Sequence, residues 1–469
     1  MKLSLFIFGA VILSAGPLDD TLATGRKALA NDGVATAWRL AQKALMDAPE
    51  SAAAHEFVGE VHFRRGEFAE ADAEFKAAVE WDPRFALAWW GLGRVAECSS
   101  MNNTAVEDFQ RAYELNPNDR RILAAWISHL RGQARTDALK RYTALASSAA
   151  AEAGNDSKEL AELRQRVDLA LSLNGRQVMA LTSPYKASAI PLQAFVGGAT
   201  HVRTYGLDVL VNGKPARLVL DTGADGIVLS HPAADRAGLT RIADATVHGL
   251  GDNAKLTGGY RAIAERFQIG DVEYHDAPIS VANQSFTGIE DGLIGANTLS
   301  EFLITLDFAH GKLRLNPLSG YRPGGVDLQD RTISSDMENA TRVFRFGHLL
   351  LVPVRVGNAG NRLFVLDTGA GSTLISYELA AAVSNVQRDD KTGLRGLNGR
   401  VGDVYQTGNL VLAFAGFEQK NLAMTAIDTW QLSRALGTEI SGFLGLPVLD
   451  LFTLTIDYRN GLVKFERTQ

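Results

Sequence analysis

Leu218-Val219-Leu220-Asp221-Thr222-Gly223-Ala224 and Phe364-Val365-Leu366-Asp367-Thr368-Gly369-Ala370 are near copies of one phrase. Each runs an apolar strand into a tight turn that carries a carboxylate. Two such turns brought together would place two carboxylates side by side. One could then accept a proton from water while the other donates one. A single copy would supply half of such a site.

The surroundings of the two phrases repeat as well. Asp221 corresponds to Asp367 at an offset of 146, while Gly292 to Gly442, Gly295 to Gly445, Asp307 to Asp457 and Gly311 to Gly461 keep an offset of 150. Asn212-Gly213 predicts a hairpin turn between Asp208–Val211 and Ala216–Leu220. Each half therefore contains a hairpin, the Asp-Thr-Gly-Ala turn, a glycine-bearing middle, an apolar-apolar-Gly segment and a closing hairpin, which a duplicated β domain explains.

Upstream the text is helical. Pro49, Pro83 and Pro117 are 34 residues apart, and so are Gly25, Gly59 and Gly93, Ala37, Ala71 and Ala105, and Ala44, Ala78 and Ala112. Small residues at fixed columns let paired helices approach, and each Pro falls beyond a helix end. A further unit, roughly 118–150, keeps the pattern around Leu123, Trp126 and Leu130 but lacks the final Pro, as a degenerate or capping repeat would. Leu160, Leu163, Val167 and Leu171 predict one more helix. Ser183-Pro184 then opens a Pro- and Gly-bearing boundary.

Composition limits the rest. The chain has 469 residues, 46% of them hydrophobic, enough for two or three cored domains. A net charge of -6 without any Lys/Arg run argues against nucleic acid or anionic lipid as partner and favours a peptide or protein. Met1-Lys2, the apolar stretch Leu3–Leu13 and the small residues Ser14, Ala15 and Gly16 read as an export signal, giving a periplasmic or secreted protein with no membrane span once the signal is removed, the alternative being a retained N-terminal anchor. Cys98 is the sole cysteine, so no intrachain disulfide forms, and its place in a repeat makes it a packed thiol. His55-Glu56 lacks a second His four residues after the first and reads as a surface pair. The glycines at Gly91-Leu92-Gly93 and Gly249-Leu250-Gly251 lack the strand-turn-helix context of a dinucleotide site. No metal cluster or cofactor motif is visible.

The 34-residue spacing resembles the tetratricopeptide repeat, with Trp89, Leu92, Gly93, Ala105, Phe109, Ala112 and Pro117 at its signature positions. The duplicated half resembles the retroviral-type (retropepsin-like) aspartic peptidases. The segments that carry the likeness are Leu220–Leu229, Leu293–Leu299 and the second copy, Asp367 with Gly442-Phe443-Leu444-Gly445. The fold class implied is multidomain: an all-α helical repeat array followed by two all-β acid-protease lobes. The expected divisions are 1–17 signal, 18–150 repeats, 151–185 helical connector, 186–320 first lobe, 321–340 linker and 341–469 second lobe.

The resemblance implies roles residue by residue. Asp221 and Asp367 would hold the attacking water, with one carboxyl protonated. Thr222 and Thr368 would bond across the lobe interface, and Gly223 and Gly369 would let backbone amides approach the carboxylates. Ile294-Gly295 and Leu444-Gly445 would support the turns from behind. Gly249 and Gly251 in one half, and Gly396 and Gly399 in the other, would belong to flaps that close over a peptide. Ala224 and Ala370 stand where pepsin-like relatives usually carry Ser or Thr, so no hydroxyl stabilises the charged carboxylate and the pH optimum should be less acidic than pepsin's. Asp225 follows Ala224, whereas Gly371 follows Ala370, so the halves differ there.

The implied activity is that of an aspartic endopeptidase acting on a peptide or protein substrate, with a protein partner in the repeat groove. The alternative is an inactive peptide-binding adaptor. Pairing also has two forms: two lobes of one chain, which a linker of about 318–345 permits, or like lobes of two chains in a homodimer.

Overall fold

The computed structural model describes residues 16–152, 158–173, 176–197, 201–247, 258–283, 290–323, 329–389, 393–396, 399–421 and 423–468. The segment expected as a signal, up to Ala15, lies outside them. No helix among the described residues is long and apolar enough to cross a membrane. The chain forms two compact units that divide between Leu92 and Gly93.

Among the described residues nine helices precede the first strand: α1 (Pro17–Ala30), α2 (Val34–Asp47), α3 (Ala52–Arg64), α4 (Phe68–Trp81), α5 (Ala86–Cys98), α6 (Asn102–Leu115), α7 (Arg120–His129), α8 (Gly132–Glu152) and α9 (Lys158–Leu173). The glycine column exists because aromatic rings lie on it. A Cβ on Gly25 would fall 2.5 Å from Phe57, on Gly59 2.7 Å from Phe75, and on Gly93 2.6 Å from Phe109. The two alanine columns are wholly buried. His55 and Trp89, 34 residues apart, each bond the carbonyl of the preceding repeat's proline, Pro49 O at 2.9 Å and Pro83 O at 3.0 Å.

One expectation fails in this region. Glu56 is fully buried rather than on the surface, ion-paired with Arg26, while His55 is partly buried and bonds Glu74 at 2.7 Å. A two-residue reading could not see that α1 delivers a guanidinium 30 positions earlier in the chain. Cys98 is buried, its Sγ donating to Val95 O at 3.3 Å, and burial pushes the thiol up to about 12.

In the second unit the end of α5 and the start of α6 meet the segment between the lobes. Asp330 accepts from the Asn103 and Thr104 amides and, at 2.7 Å, from the Thr104 hydroxyl, so it caps the N-terminus of α6. Arg345 donates to Asn102 Oδ1 at 2.9 Å and to Tyr458 O at 3.1 Å.

Each lobe is built on its own sheet, nine-stranded in the first and ten-stranded in the second among the described residues. Asn212 and Gly213 both adopt positive φ, 49° and 75°, and make the two-residue turn expected between Val211 and Lys214. A short strand, Ala180–Leu181, lies within the expected connector yet pairs with Tyr274 and His275 of the first lobe. Two residues are too few for alternation to show in sequence.

The closing hairpins do not stay in separate lobes. The first lobe's Phe302–Asp307 runs antiparallel to the second lobe's Phe452–Asp457, Thr305 facing Thr455 with their hydroxyls 3.2 Å apart. Together with Ser188–Pro191, Lys312–Pro317, Thr341–Arg342 and Leu462–Arg467 they form a shared six-stranded sheet. The two lobes of one chain are thus joined by backbone pairing. A single hydrophobic core, including Leu220, Ile304, Leu366 and Ile456, runs through both.

Candidate active site

Asp221 and Asp367 end the strands Lys214–Asp221 and Asn361–Asp367. Behind each lies the apolar-apolar-Gly segment as a parallel neighbour, with Ile294 opposite Leu220 and Gly295 opposite Asp221, and with Leu444 opposite Leu366 and Gly445 opposite Asp367. Ile294 and Leu444 are fully buried. A Cβ on Gly295 would stand 2.3 Å from Ala224 O, and one on Gly445 2.3 Å from Ser372 O, so only glycine lets these strands lie against the turns.

The turns interlock. Thr222 Oγ1 donates to Leu366 O at 2.7 Å and accepts from the Thr368 amide at 3.0 Å. Thr368 Oγ1 donates to Leu220 O at 2.9 Å and accepts from the Thr222 amide at 3.1 Å. Both threonines are buried. Their four reciprocal bonds hold the carboxylates together across the lobe interface.

Each carboxylate sits over the other turn's glycine. A Cβ on Gly369 would lie 2.4 Å from Asp221 Cγ, and one on Gly223 2.9 Å from Asp367 Cγ. Asp221 Oδ1 accepts from the Gly223 amide at 2.7 Å. Asp367 Oδ1 accepts from the Gly369 and Ala370 amides at 3.0 and 2.9 Å. The two carboxyl groups lie close enough for each to act on the other's titration. Burial raises both above the ordinary carboxylate range, and the charge of Asp221 adds to the rise at Asp367. The Gly223 amide and the charge of His348 oppose the rise at Asp221.

A family model described as aspartyl protease matches residues 207–298 and 352–448, one segment in each lobe. Both lobes match the aspartyl protease family. Among solved structures, the aspartic proteinase from Irpex lacteus is 15% identical over 60% of this chain and 98% of its own, with a TM-score of 0.37. The helical region is similar to the TPR2B domain of yeast Sti1 in complex with an Hsp70 peptide, at 20% identity over 23% of this chain and 92% of that one, TM-score 0.22. It is also similar to a Thermobaculum terrenum O-GlcNAc transferase mutant, at 24% identity over 29% of this chain, TM-score 0.23, where the likeness spans only 26% of the transferase. No curated protein sequence matches closely enough to count as a relative.

Of the residues expected at flaps, Gly396 and Gly399 pair with each other in a small hairpin, Arg395–Gly396 with Gly399–Arg400. Gly249 and Gly251 lie outside the described residues. Three neighbours of the aspartates escaped the sequence reading. His348 stands in the two-residue turn between Phe344–Phe346 and Leu349–Val356, a strand whose register with Asn361–Asp367 returns that turn towards Asp367. Asn297 accepts from the Gly226 amide and donates to Asp225 Oδ1 at 2.9 Å, bracing the turn in the first lobe. Tyr458 is buried within reach of the charge of Asp221. The offset of 150 aligns Tyr458 with Phe308, and that swap was the one legible signal.

Proposed function

We propose that this chain is an aspartic endopeptidase whose single active site is made by Asp221 and Asp367. A water held between the carboxyls attacks the peptide carbonyl carbon. Ionised Asp221 takes the water proton, and protonated Asp367 gives its proton to the carbonyl oxygen, leaving a tetrahedral diol. Asp221 then passes its proton to the amide nitrogen, the C–N bond breaks, and the diol returns a proton to Asp367. The observation that carries this reading is the pair of carboxyls held in mutual contact by the Thr222 and Thr368 bonds. The charge of Asp221, which raises Asp367, supports the role of Asp367 as proton donor.

Gly396 and Gly399 belong, on this reading, to a flap that adds backbone pairing to a bound peptide. The helical repeats supply a groove for the substrate protein or a partner. Export to the periplasm or the exterior is proposed on Leu3–Leu13 alone.

The test is cleavage of casein between about pH 3 and 7 by the wild type and by Asp221→Asn and Asp367→Asn, with and without pepstatin. Loss of cleavage in both variants, and no recovery when the two are mixed, is the outcome expected for one site per chain. A wild type that cuts nothing, or a variant that still cuts, would overturn it.

A further inference from the structure

A straight row of side chains crosses the first lobe's sheet from the catalytic strand. Val219 faces Leu293, Leu293 faces Val228, Val228 faces Ser280, and Ser280 faces Arg261. Each of these residues alternates with neighbours sunk in the main core, such as Leu220, Ile294, Leu229, Ile279 and Ala262, so the row occupies the opposite face. Val219 is two residues before Asp221 on one strand, which puts the row on the face that carries the carboxylate. Val228 and Leu293 form a small separate cluster there, against which Val219 and Ala224 pack.

The second lobe has the same row in the same register: Val365, Phe443, Leu374, Thr425 and Gln406. The chemistry is matched position by position, apolar for apolar and hydroxyl for hydroxyl, until the last. There Gln406 bonds the Thr425 hydroxyl at 3.2 Å, whereas Arg261 bonds the Ser280 hydroxyl. Arg261 is therefore the single formal charge in either row. It is half-buried, and burial disfavours its charge while Asp225 supports it. Asp225 is itself exposed and engaged by Asn297. A partly desolvated guanidinium with several N–H donors favours a planar carboxylate.

We propose that Arg261 makes, on the carboxylate-bearing face of the first lobe's sheet, a subsite for an acidic substrate side chain that the second lobe lacks. The inference rests on the peptidase reading above. Arg261 lies four strands from Val219, so the residue it selects is several positions from the scissile bond.

The experiment is a cleavage-site profile of full-length enzyme on a proteome-derived peptide library, with Arg261→Gln, which installs the second lobe's residue, Arg261→Lys, and Asp221→Asn as blank. Glu and Asp should be enriched at one position on one side of the cut. Arg261→Gln should lower kcat/KM for an acidic peptide about tenfold or more while leaving its Gln-matched analogue unchanged, and Arg261→Lys should keep part of the preference. Cleavage with no acidic enrichment, or enrichment that survives Arg261→Gln, would overturn the subsite alone. No cleavage by the wild type would overturn the peptidase reading and the subsite with it.

Discussion

Replacing Thr222 by Val removes one hydroxyl and keeps the shape. It deletes the 2.7 Å bond donated to Leu366 O and the 3.0 Å bond accepted from the Thr368 amide, in a site where Thr222 has no exposed surface. Each buried backbone group left without its partner costs about 1–3 kcal/mol, so the variant should lose about 2–6 kcal/mol of local stability. At about 1.4 kcal/mol per decade, amide hydrogen exchange in the peptides holding Thr222 and Thr368 should accelerate at least some thirtyfold. Thr368→Val should behave alike, since its bonds to Leu220 O and the Thr222 amide mirror the first set. The double variant should cost less than the sum, because opening one side already frees the other. kcat should fall more than KM rises, since the threonines touch no substrate. Exchange within about threefold of wild type, with kcat unchanged, would refute the interlock.

Gly369→Ala should abolish cleavage, because the new Cβ would fall 2.4 Å from Asp221 Cγ and Oδ2; Gly223→Ala, at 2.9 Å from Asp367 Cγ, should be the milder of the two, and initial rates at matched folded fraction, checked by circular dichroism, decide the order. The pH profile should be a bell shifted upward from the ordinary carboxylate range. Activity appears as pH rises through the first of the pair's elevated titrations, which leaves one carboxyl ionised, and is lost as pH rises through the second, which removes the proton the other must keep. A rate still climbing below about pH 3 would contradict this. The same elevation has a stability consequence. A carboxyl raised on folding stabilises below its unfolded value and loses that contribution as pH rises through its folded value. Asp367→Asn should therefore raise the melting temperature of the lobes more at neutral than at acid pH.

Much of this protein was legible one stretch at a time. The 34-residue columns announced the helical repeats because a ring must lie over each glycine, and the Asp-Thr-Gly turns announced themselves because a strand delivering a carboxylate beside a facing backbone tolerates few residues. Their recurrence at offsets of 146 and 150 gave the duplication. Residues whose meaning lies in a partner elsewhere in the chain were silent. Glu56 became a buried ion only when α1 brought Arg26. His348 came towards Asp367 only through the register of its hairpin. Arg261 differed from Gln406 only once five strands lay in line. Sequence by itself determined the repeat helices and the two Asp-Thr-Gly turns with the strands that lead into them, because periodicity and backbone conformation act over a few residues. Only tertiary structure decided that the lobes of one chain share a sheet and set Asp221 against Asp367, because that choice depends on burying Leu220, Leu366 and Thr222 together across 146 residues of intervening chain.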